Sequence, residues 1–143
     1  MENIARYLGI TQEEIGELSK EGDDPEKVSS ICAVLAETDV INMVSRQITA
    51  PNILKGIHLS MATRLLKLLR SIRVMDGRVL VTGGLAMDAG LVAALNESMA
   101  DQKLSVDIVS HPDSIYAGAI GAAIWGAFRH QKLARIGGLA QAS

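Results

Sequence analysis

A glycine-rich turn is the first candidate for chemistry in the sequence. Residues 79–90 read VLVTGGLAMDAG, where an aliphatic run ends at Gly83 and Gly84 and an apolar periodicity begins after Asp88. This pattern predicts a strand, a tight turn and a helix, an arrangement that lets a ligand approach backbone N–H groups at a helix N-terminus. Similar turns also serve close packing alone, so the local pattern leaves both roles open.

The second candidate is Cys32, the single cysteine of the chain. Residues 28–35 read VSSICAVL, which predicts a strand and a turn, followed by a helix from about Ala36 with Glu37 and Asp39 in its first turn. A cysteine just ahead of a helix N-terminus is stabilised as the thiolate, and this suits ligation of a metal or an iron–sulfur cluster. The alternative is an inert cysteine in an apolar core.

The sequence contains no complete catalytic constellation. No Gly-Lys-Ser/Thr follows the glycines, so there is no Walker A motif, and the spacing of Gly83, Gly84 and Gly90 does not fit a Rossmann fingerprint. His58 has no companion at metal-ligand spacing and is interpreted as structural. We therefore assign no catalytic residue to the chain.

Alternating helices and short strands must position these residues. A long helix is predicted from Pro51 to about Ile72, and strands are predicted at residues 79–81 and 106–109 with a helix between them. A last helix begins at residues 111–113, with Asp113 as its cap, and is apolar nearly all round, which predicts burial. This alternation predicts an α/β layer fold with a small sheet. The apolar stripe of the long helix comprises Ile53, Leu54, Ile57, Met61, Leu65, Leu68 and Ile72.

Length and composition limit the class of protein. The 143 residues, 48% of them hydrophobic, fit one domain spanning residues 1–143, with a tail at about 136–143 that we expect to fray. A net charge of −2 and 3% aromatic residues do not favour nucleic-acid binding. The N-terminus lacks a signal-peptide pattern, and the longest apolar stretch is too short for a bilayer. We expect a cytoplasmic protein that binds neither nucleic acid nor membrane, and a single cysteine suits that reducing compartment.

Three segments together resemble one protein family. Residues 30–40 (SICAVLAETDV) resemble the second cluster-ligand segment of the ATPases that drive benzoyl-CoA reductase and activate 2-hydroxyacyl-CoA dehydratases, the BadF/BadG/BcrA/BcrD ATPase family. Residues 81–88 (VTGGLAMD) resemble the adenosine motif of that family, and residues 116–123 (YAGAIGAA) resemble the helix that closes its nucleotide-binding half. Residues 55–60 also fit, so the resemblance covers residues 3–128 in the right order.

The resemblance implies an actin/Hsp70/sugar-kinase-type ATPase fold, which is ribonuclease H-like, with this chain as its C-terminal, nucleotide-binding lobe. It implies ATP with Mg²⁺ as a cofactor and an adenosine site at Gly83, Gly84, Leu85 and Met87. The Met-Asp pair that ends the motif departs from the polar residue and asparagine that family members often carry. The first phosphate loop, the Mg²⁺ ligands and a first cluster cysteine are expected upstream, and the chain alone is expected to be inactive.

The resemblance also implies a role for Cys32. It would be one of four ligands of a [4Fe–4S] cluster shared with a homologous ATPase subunit, and the cluster is expected to be absent from the chain alone. ATP hydrolysis would drive a low-potential electron, with ferredoxin as donor, through the cluster to catalytic reductase subunits that reduce an aromatic ring. The chain would thus be a component of an ATP-dependent oxidoreductase.

The subfamily is indicated by two further segments. Residues 111–118 (HPDSIYAG) and 124–126 (IWG) resemble the benzoyl-CoA reductase ATPase subunits more than the dehydratase activators. Three alternatives remain: an activator ATPase of a 2-hydroxyacyl-CoA dehydratase, a kinase-like nucleotide-binding lobe without a cluster, and a non-catalytic dimerisation module.

Overall fold

A computed structural model describes residues 1–28, 33–102 and 104–141 of the protein. Short helices come first, and a long helix then leads into a strand–helix–strand unit and a final long helix. In chain order the elements are α1 (Glu2–Leu8), α2 (Glu14–Lys20), α3 (Ala33–Ser45), α4 (Ala50–Ser71), β1 (Asp76–Leu80), α5 (Ala89–Gln102), β2 (Ser105–Val109), a 3₁₀ turn (Pro112–Tyr116) and α6 (Ala117–Gln141).

The first residue of helix α2 is hydrogen-bonded through its side chain to the preceding loop. The Glu14 carboxylate accepts hydrogen bonds from the Thr11 backbone N–H at 2.8 Å and from the Thr11 hydroxyl at 2.9 Å. These two bonds hold the pKa of the Glu14 carboxyl below its usual range. The loop therefore enters α2 in a fixed direction, which matters because α2 forms one wall of the site described below.

Helix α4 connects two hydrophobic clusters, because its first half contributes to one and its second half to the other. Its first half places Ile53 and Leu54 among residues of α1, α2 and α3, and both side chains are fully buried. Its second half places Ala62 and Leu66 against α5 and β2. The predicted stripe is therefore right only for the first half of the helix. Leu65, Leu68 and Ile72 are exposed because α5 packs against a different face.

The sheet consists of β1 and β2, which run parallel. Asp76 pairs with Ser105 and Leu80 with Val109, and α5 makes the crossover that a parallel pair requires. Both predicted strands are present, although β1 begins three residues before the predicted start and ends at Leu80, one residue before the predicted end. The helix between them is confirmed. Val81 continues the pairing by donating its N–H to the Val109 carbonyl at 2.8 Å, so the two strands end together beside the glycine turn.

The start of α3 differs from the prediction. The helix begins at Ala33, so the predicted strand is wrong for residues 33–35, which are helical. Glu37 and Asp39 lie beyond the first turn, and that turn carries no acidic residue. Cys32, the predicted cluster ligand, lies outside the described residues, and α3 begins at the residue that follows it in the sequence.

The last helix also differs from the prediction. His111, not Asp113, caps the 3₁₀ turn: its Nδ1 accepts a hydrogen bond from the Asp113 N–H, and its own N–H donates to the Ser114 hydroxyl. Helix α6 continues to Gln141, through most of the segment expected to fray. Its apolar side chains are exposed rather than buried, with Ile124 66% and Trp125 63% exposed. None of the described helices is both long and apolar enough to cross a membrane.

Candidate functional site

The glycine turn lies where β1 ends and α5 has not yet begun. Gly83 has a φ of +97°, a conformation that favours glycine, and its N–H donates to the Ser114 carbonyl at 2.9 Å. The turn is closed by a hydrogen bond from the Ala86 N–H to the Gly83 carbonyl. Gly83 therefore sets the direction of the turn and ties it to the 3₁₀ turn. Its N–H is already used within the protein.

The remaining predicted residues line a cavity beside this turn. Gly84, Leu85 and Met87 are exposed and form one wall, and α2 forms the opposite wall. The cavity has a volume of about 430 Å³, which is within the range of small-molecule sites. A Cβ atom at Gly84 would meet no atom within 4 Å, so the backbone here faces open space. The structure thus brings together four predicted residues, of which three line the cavity.

Helix α2 approaches the turn by backbone as well as by side chain. A Cβ atom at Gly16 would lie 3.1 Å from the Ala89 nitrogen and 3.2 Å from Asp88 Oδ1. Glu13 and Glu17, one helical turn apart, line the same wall. Among its described lining residues the cavity has three carboxylates and no lysine, arginine or histidine side chain. Its chemistry suits hydroxyl groups and a neutral ring rather than phosphate.

Asp88 connects the turn to the helix that follows. Its Oδ1 accepts a hydrogen bond from the Leu91 N–H at 2.9 Å, which caps the N-terminus of α5. Burial favours the neutral carboxyl, but interactions with His58 and with the N–H groups of Leu91 and Gly90 outweigh it, and the pKa of Asp88 is lowered. The carboxylate is therefore ionised in the folded protein at neutral pH.

Behind Asp88 lies a buried histidine. His58 of α4 is fully buried, its Nδ1 lies 2.7 Å from the hydroxyl oxygen of Ser19 on α2, and its Nε2 lies 3.5 Å from Asp88 Oδ2. His58 is predicted from the sequence to be structural, but nothing in the sequence places Ser19 beside it. No local pattern indicates this contact, because the three side chains come from α2, α4 and the turn before α5.

Metal ligation is the second predicted chemistry. In the part of the chain that the structure describes, no group of three or more histidine, cysteine, aspartate or glutamate residues could hold a metal ion. Cys32 lies outside that part. Its assignment as a cluster ligand stays a prediction.

A strand–turn–helix unit with an open cavity beside its glycines is typical of nucleotide-binding lobes, and the comparisons with known proteins define the class. The chain belongs to the BadF/BadG/BcrA/BcrD ATPase family, whose model matches residues 1–126. It is 72% identical over 137 residues to a subunit of the benzoyl-CoA reductase of Thauera aromatica, a match that covers 96% of this chain and 49% of that protein. It is also 36% identical over 125 residues to the activator of lactoyl-CoA dehydratase of Anaerotignum propionicum, covering 87% of this chain and 46% of that protein.

Two solved structures have the same fold. One is component A of the (R)-2-hydroxyglutaryl-CoA dehydratase of Acidaminococcus fermentans, with a TM-score of 0.71 and 32% identity over 85% of this chain and 45% of that one. The other is the activator of the 2-hydroxyisocaproyl-CoA dehydratase of Clostridium difficile with bound ADPNP, with a TM-score of 0.74 and 29% identity over 94% of this chain and 47% of that one. They confirm the predicted α/β fold of the actin-like ATPase type. The chain spans about half the length of the curated relatives it matches.

Proposed function

We propose that this chain is the nucleotide- and cluster-binding half of an ATPase subunit that activates electrons for a benzoyl-CoA reductase. The observation that carries the proposal is the 72% identity to a benzoyl-CoA reductase subunit over 137 residues, which is twice the 36% identity to a dehydratase activator. The proposed partners are a homologous ATPase subunit, the catalytic reductase subunits and ferredoxin as electron donor. The proposed cofactors are ATP with Mg²⁺ and a shared [4Fe–4S] cluster.

The cavity supports an adenosine site at Gly83, Gly84, Leu85 and Met87. Leu85 and Met87 are exposed apolar side chains on the turn, and they offer a surface for an adenine ring. Glu13 and Glu17 on the opposite wall offer carboxylate oxygens that accept hydrogen bonds from ribose hydroxyls. The base and sugar would therefore lie between the turn and α2.

The phosphate groups of the bound nucleotide would lie outside this cavity. Three carboxylates line the cavity, and Lys20, whose Nζ lies 2.6 Å from Glu17 Oε2, balances one of them. A triphosphate placed among the other two is repelled, so its binding groups belong to another surface. The first phosphate loop and the Mg²⁺ ligands are expected upstream in the sequence. Since the adenosine alone is held here, we expect the 143-residue chain to bind ADP weakly.

The test is a titration of the ¹⁵N-labelled chain with ADP, followed by NMR. We expect progressive shifts at residues 83–89 and at residues 12–17, the two walls of the cavity. Gly84→Val adds a side chain where space is open, and we expect it to weaken ADP about tenfold without loss of stability. Gly126→Val is the matched control, because Gly126 also faces open space but lies on α6. Shifts elsewhere, or equal affinity in both variants, would contradict the adenosine site.

The start of α3 supports the second half of the proposal. The described part of α3 starts at Ala33, the residue after Cys32 in the sequence, and its first turn carries no acidic side chain that would offset the positive end of the dipole. A thiolate or an anionic cluster is stabilised at such a helix end. When bound, the cluster would supply one-electron transfer, and Cys32 would provide one of its ligands.

Cluster ligation is tested in the whole ATPase rather than in the chain alone. We expect the anaerobically prepared subunit pair to contain iron and sulfide, and Cys32→Ser to remove the shared cluster. Ser30→Ala, two residues away, is the control and should retain it. A Cys32→Ser pair that keeps its iron and its absorption spectrum would show that Cys32 is not a ligand, whereas a wild-type pair without iron would favour a kinase-like lobe without a cluster.

The second candidate function is activation of a 2-hydroxyacyl-CoA dehydratase. The observation that favours it is the fold shared with two dehydratase activators. Both functions use the same ATPase chemistry and differ in the electron acceptor. Reduction of benzoyl-CoA by the reconstituted complex, with no dehydration of a 2-hydroxyacyl-CoA, would decide for the reductase.

A further inference from the structure

Contacts among three polar side chains connect α2, which forms one wall of the cavity, with the turn that forms the other wall. Ser19 lies on α2, His58 on α4, and Asp88 at the start of α5, and these three helices pack on one another. Ser19 and His58 are 2% and 0% exposed. Asp88 lines the cavity, whereas Ser19 and His58 do not. His58 can therefore influence a ligand in the cavity only through its contact with Asp88.

The tautomer of the ring is assigned from the atoms that face its two nitrogens. The ionised Asp88 carboxylate only accepts hydrogen bonds, so the Nε2 atom that faces it carries a hydrogen. In the neutral ring Nδ1 then accepts a hydrogen bond from the Ser19 hydroxyl, at 2.7 Å. The distance of 3.5 Å between Nε2 and Asp88 Oδ2 is too long for an ordinary hydrogen bond. Nε2 has no other hydrogen-bond partner within the described residues either, so it is left unsatisfied.

The histidine ring is also fixed in place by packing. A Cβ atom at Gly90 would lie 2.6 Å from His58 Nδ1 and 2.8 Å from the Ser19 Cβ atom, so the backbone of α5 closes directly over the ring. A buried N–H without a good acceptor costs free energy, and only a small movement of Asp88 is needed to satisfy it. The ring is held on this side, so the hydrogen bond forms when Asp88 Oδ2 turns toward Nε2 while Oδ1 remains on the Leu91 N–H.

We propose that His58 is a positioning residue for the nucleotide site, which in the nucleotide-bound protein holds Asp88 and thereby the turn of residues 83–88 at the correct distance from α2. The proposal rests on the proposed adenosine site. A nucleotide that fills the cavity packs against the turn and brings Asp88 within hydrogen-bond distance of His58. The hydrogen bond that the free protein lacks then forms on binding and adds to the affinity.

Two substitutions of His58 separate its two contacts. His58→Gln carries an amide nitrogen near the position of Nε2 and retains a donor toward Asp88. His58→Asn carries its amide near the position of Nδ1, so it retains the Ser19 contact and loses the one to Asp88. We expect His58→Asn to weaken ADP binding about tenfold and His58→Gln by less than about threefold, by NMR titration of the same chain.

Ser19→Ala is the second variant and the one with the smaller effect on folding. Ser19 does not line the cavity, and its hydroxyl contacts the His58 ring, so we expect its removal to affect ADP through the ring. We expect a loss of about threefold. Ser98→Ala, another buried serine that does not line the cavity, is the matched control and should bind ADP like the wild type. Urea unfolding of each variant measures stability separately from affinity.

Direct observation of the ring completes the test. The His58 Nε2–H proton should move downfield on saturation with ADP in the wild type, a change that a purely structural histidine does not show. Equal ADP affinity in the wild type, His58→Asn and His58→Gln, or an equal loss in both variants, would overturn the inference while leaving the adenosine site intact. If His58→Asn does not fold, an unchanged affinity in Ser19→Ala overturns it. Failure of the wild-type chain to bind ADP at the cavity would overturn both proposals.

Discussion

Helices α4 and α6 are both long and both rich in apolar residues, yet they use those residues in opposite ways. Helix α4 buries one face in its first half and a different face in its second half, and it joins two hydrophobic clusters in this way. Helix α6 has the 3₁₀ turn as its main neighbour and exposes Ile124, Trp125 and Phe128. Apolar composition therefore indicates a need for burial but does not identify the neighbour that provides it. Only contacts between elements distant in sequence decide that.

The strongest test of this contrast is to make the same substitution in both helices. Leu66→Ala on α4 removes a side chain that is fully buried, and we expect a loss of about 3 kcal/mol in the free energy of unfolding. Leu133→Ala on α6 removes one that is 57% exposed, and we expect a change within about 0.5 kcal/mol. Urea unfolding of both variants measures this. Similar losses would show that α6 is packed in the protein.

Substitution of one glycine in α5 and one in α6 provides a second contrast. The expected changes in stability are smaller than for the leucines, and they have opposite signs in the two helices. Gly90→Ala places a methyl group against His58 and Ser19, and we expect it to destabilise the protein by about 1–3 kcal/mol. Gly126→Ala on α6 meets no atom within 4 Å, and we expect it to stabilise the helix by about 0.5–1 kcal/mol. Thermal unfolding of the two variants checks the signs. Stabilisation by Gly90→Ala would contradict the close packing of α5 on the histidine.

The smallest effect that we predict is a change in the stability of the protein at acidic pH. Because the pKa of Asp88 is lowered in the folded state, its contribution is complete above the ordinary aspartate value and is lost as the pH falls through the folded value. We expect Asp88→Asn, which still caps α5, to cost about 1 kcal/mol at pH 7 and to approach the wild type below about pH 4. Glu21→Gln, at an exposed position outside the cavity, is the control. A difference independent of pH would show that the Asp88 charge adds no stability.

The local elements around the site could be predicted from the sequence. The run before Gly83, the two glycines and the apolar periodicity after Asp88 predict a strand, a turn and a helix, and the structure has all three. Such signals lie within about ten residues and depend on backbone preferences. The cavity could not be predicted, because its second wall comes from α2, far earlier in the chain, and no period in the sequence relates the two.

Two errors have a common physical cause. The segment at Ala33 contains residues with strand preference but is helical, and the predicted stripe of α4 includes Leu68 and Ile72, which are exposed. Tertiary contacts override local preference in both places, since α3 packs with α1 and α4 while α5 takes a different face of α4. A structural role for His58 could be predicted from its isolation in the sequence, but its contacts with Ser19 and Asp88 required the fold.

The two-stranded sheet affects how this protein meets other chains. Within the described residues β1 and β2 each pair on one side only, so each strand presents an outer row of N–H and C=O groups. Leu80, at the end of β1, is 57% exposed. Open strand edges accept further strands through backbone hydrogen bonds, which depend little on the sequence that is added. Concentrated preparations of the 143-residue chain should therefore aggregate by extension of the sheet, and solvent conditions that compete for backbone hydrogen bonds should disperse them.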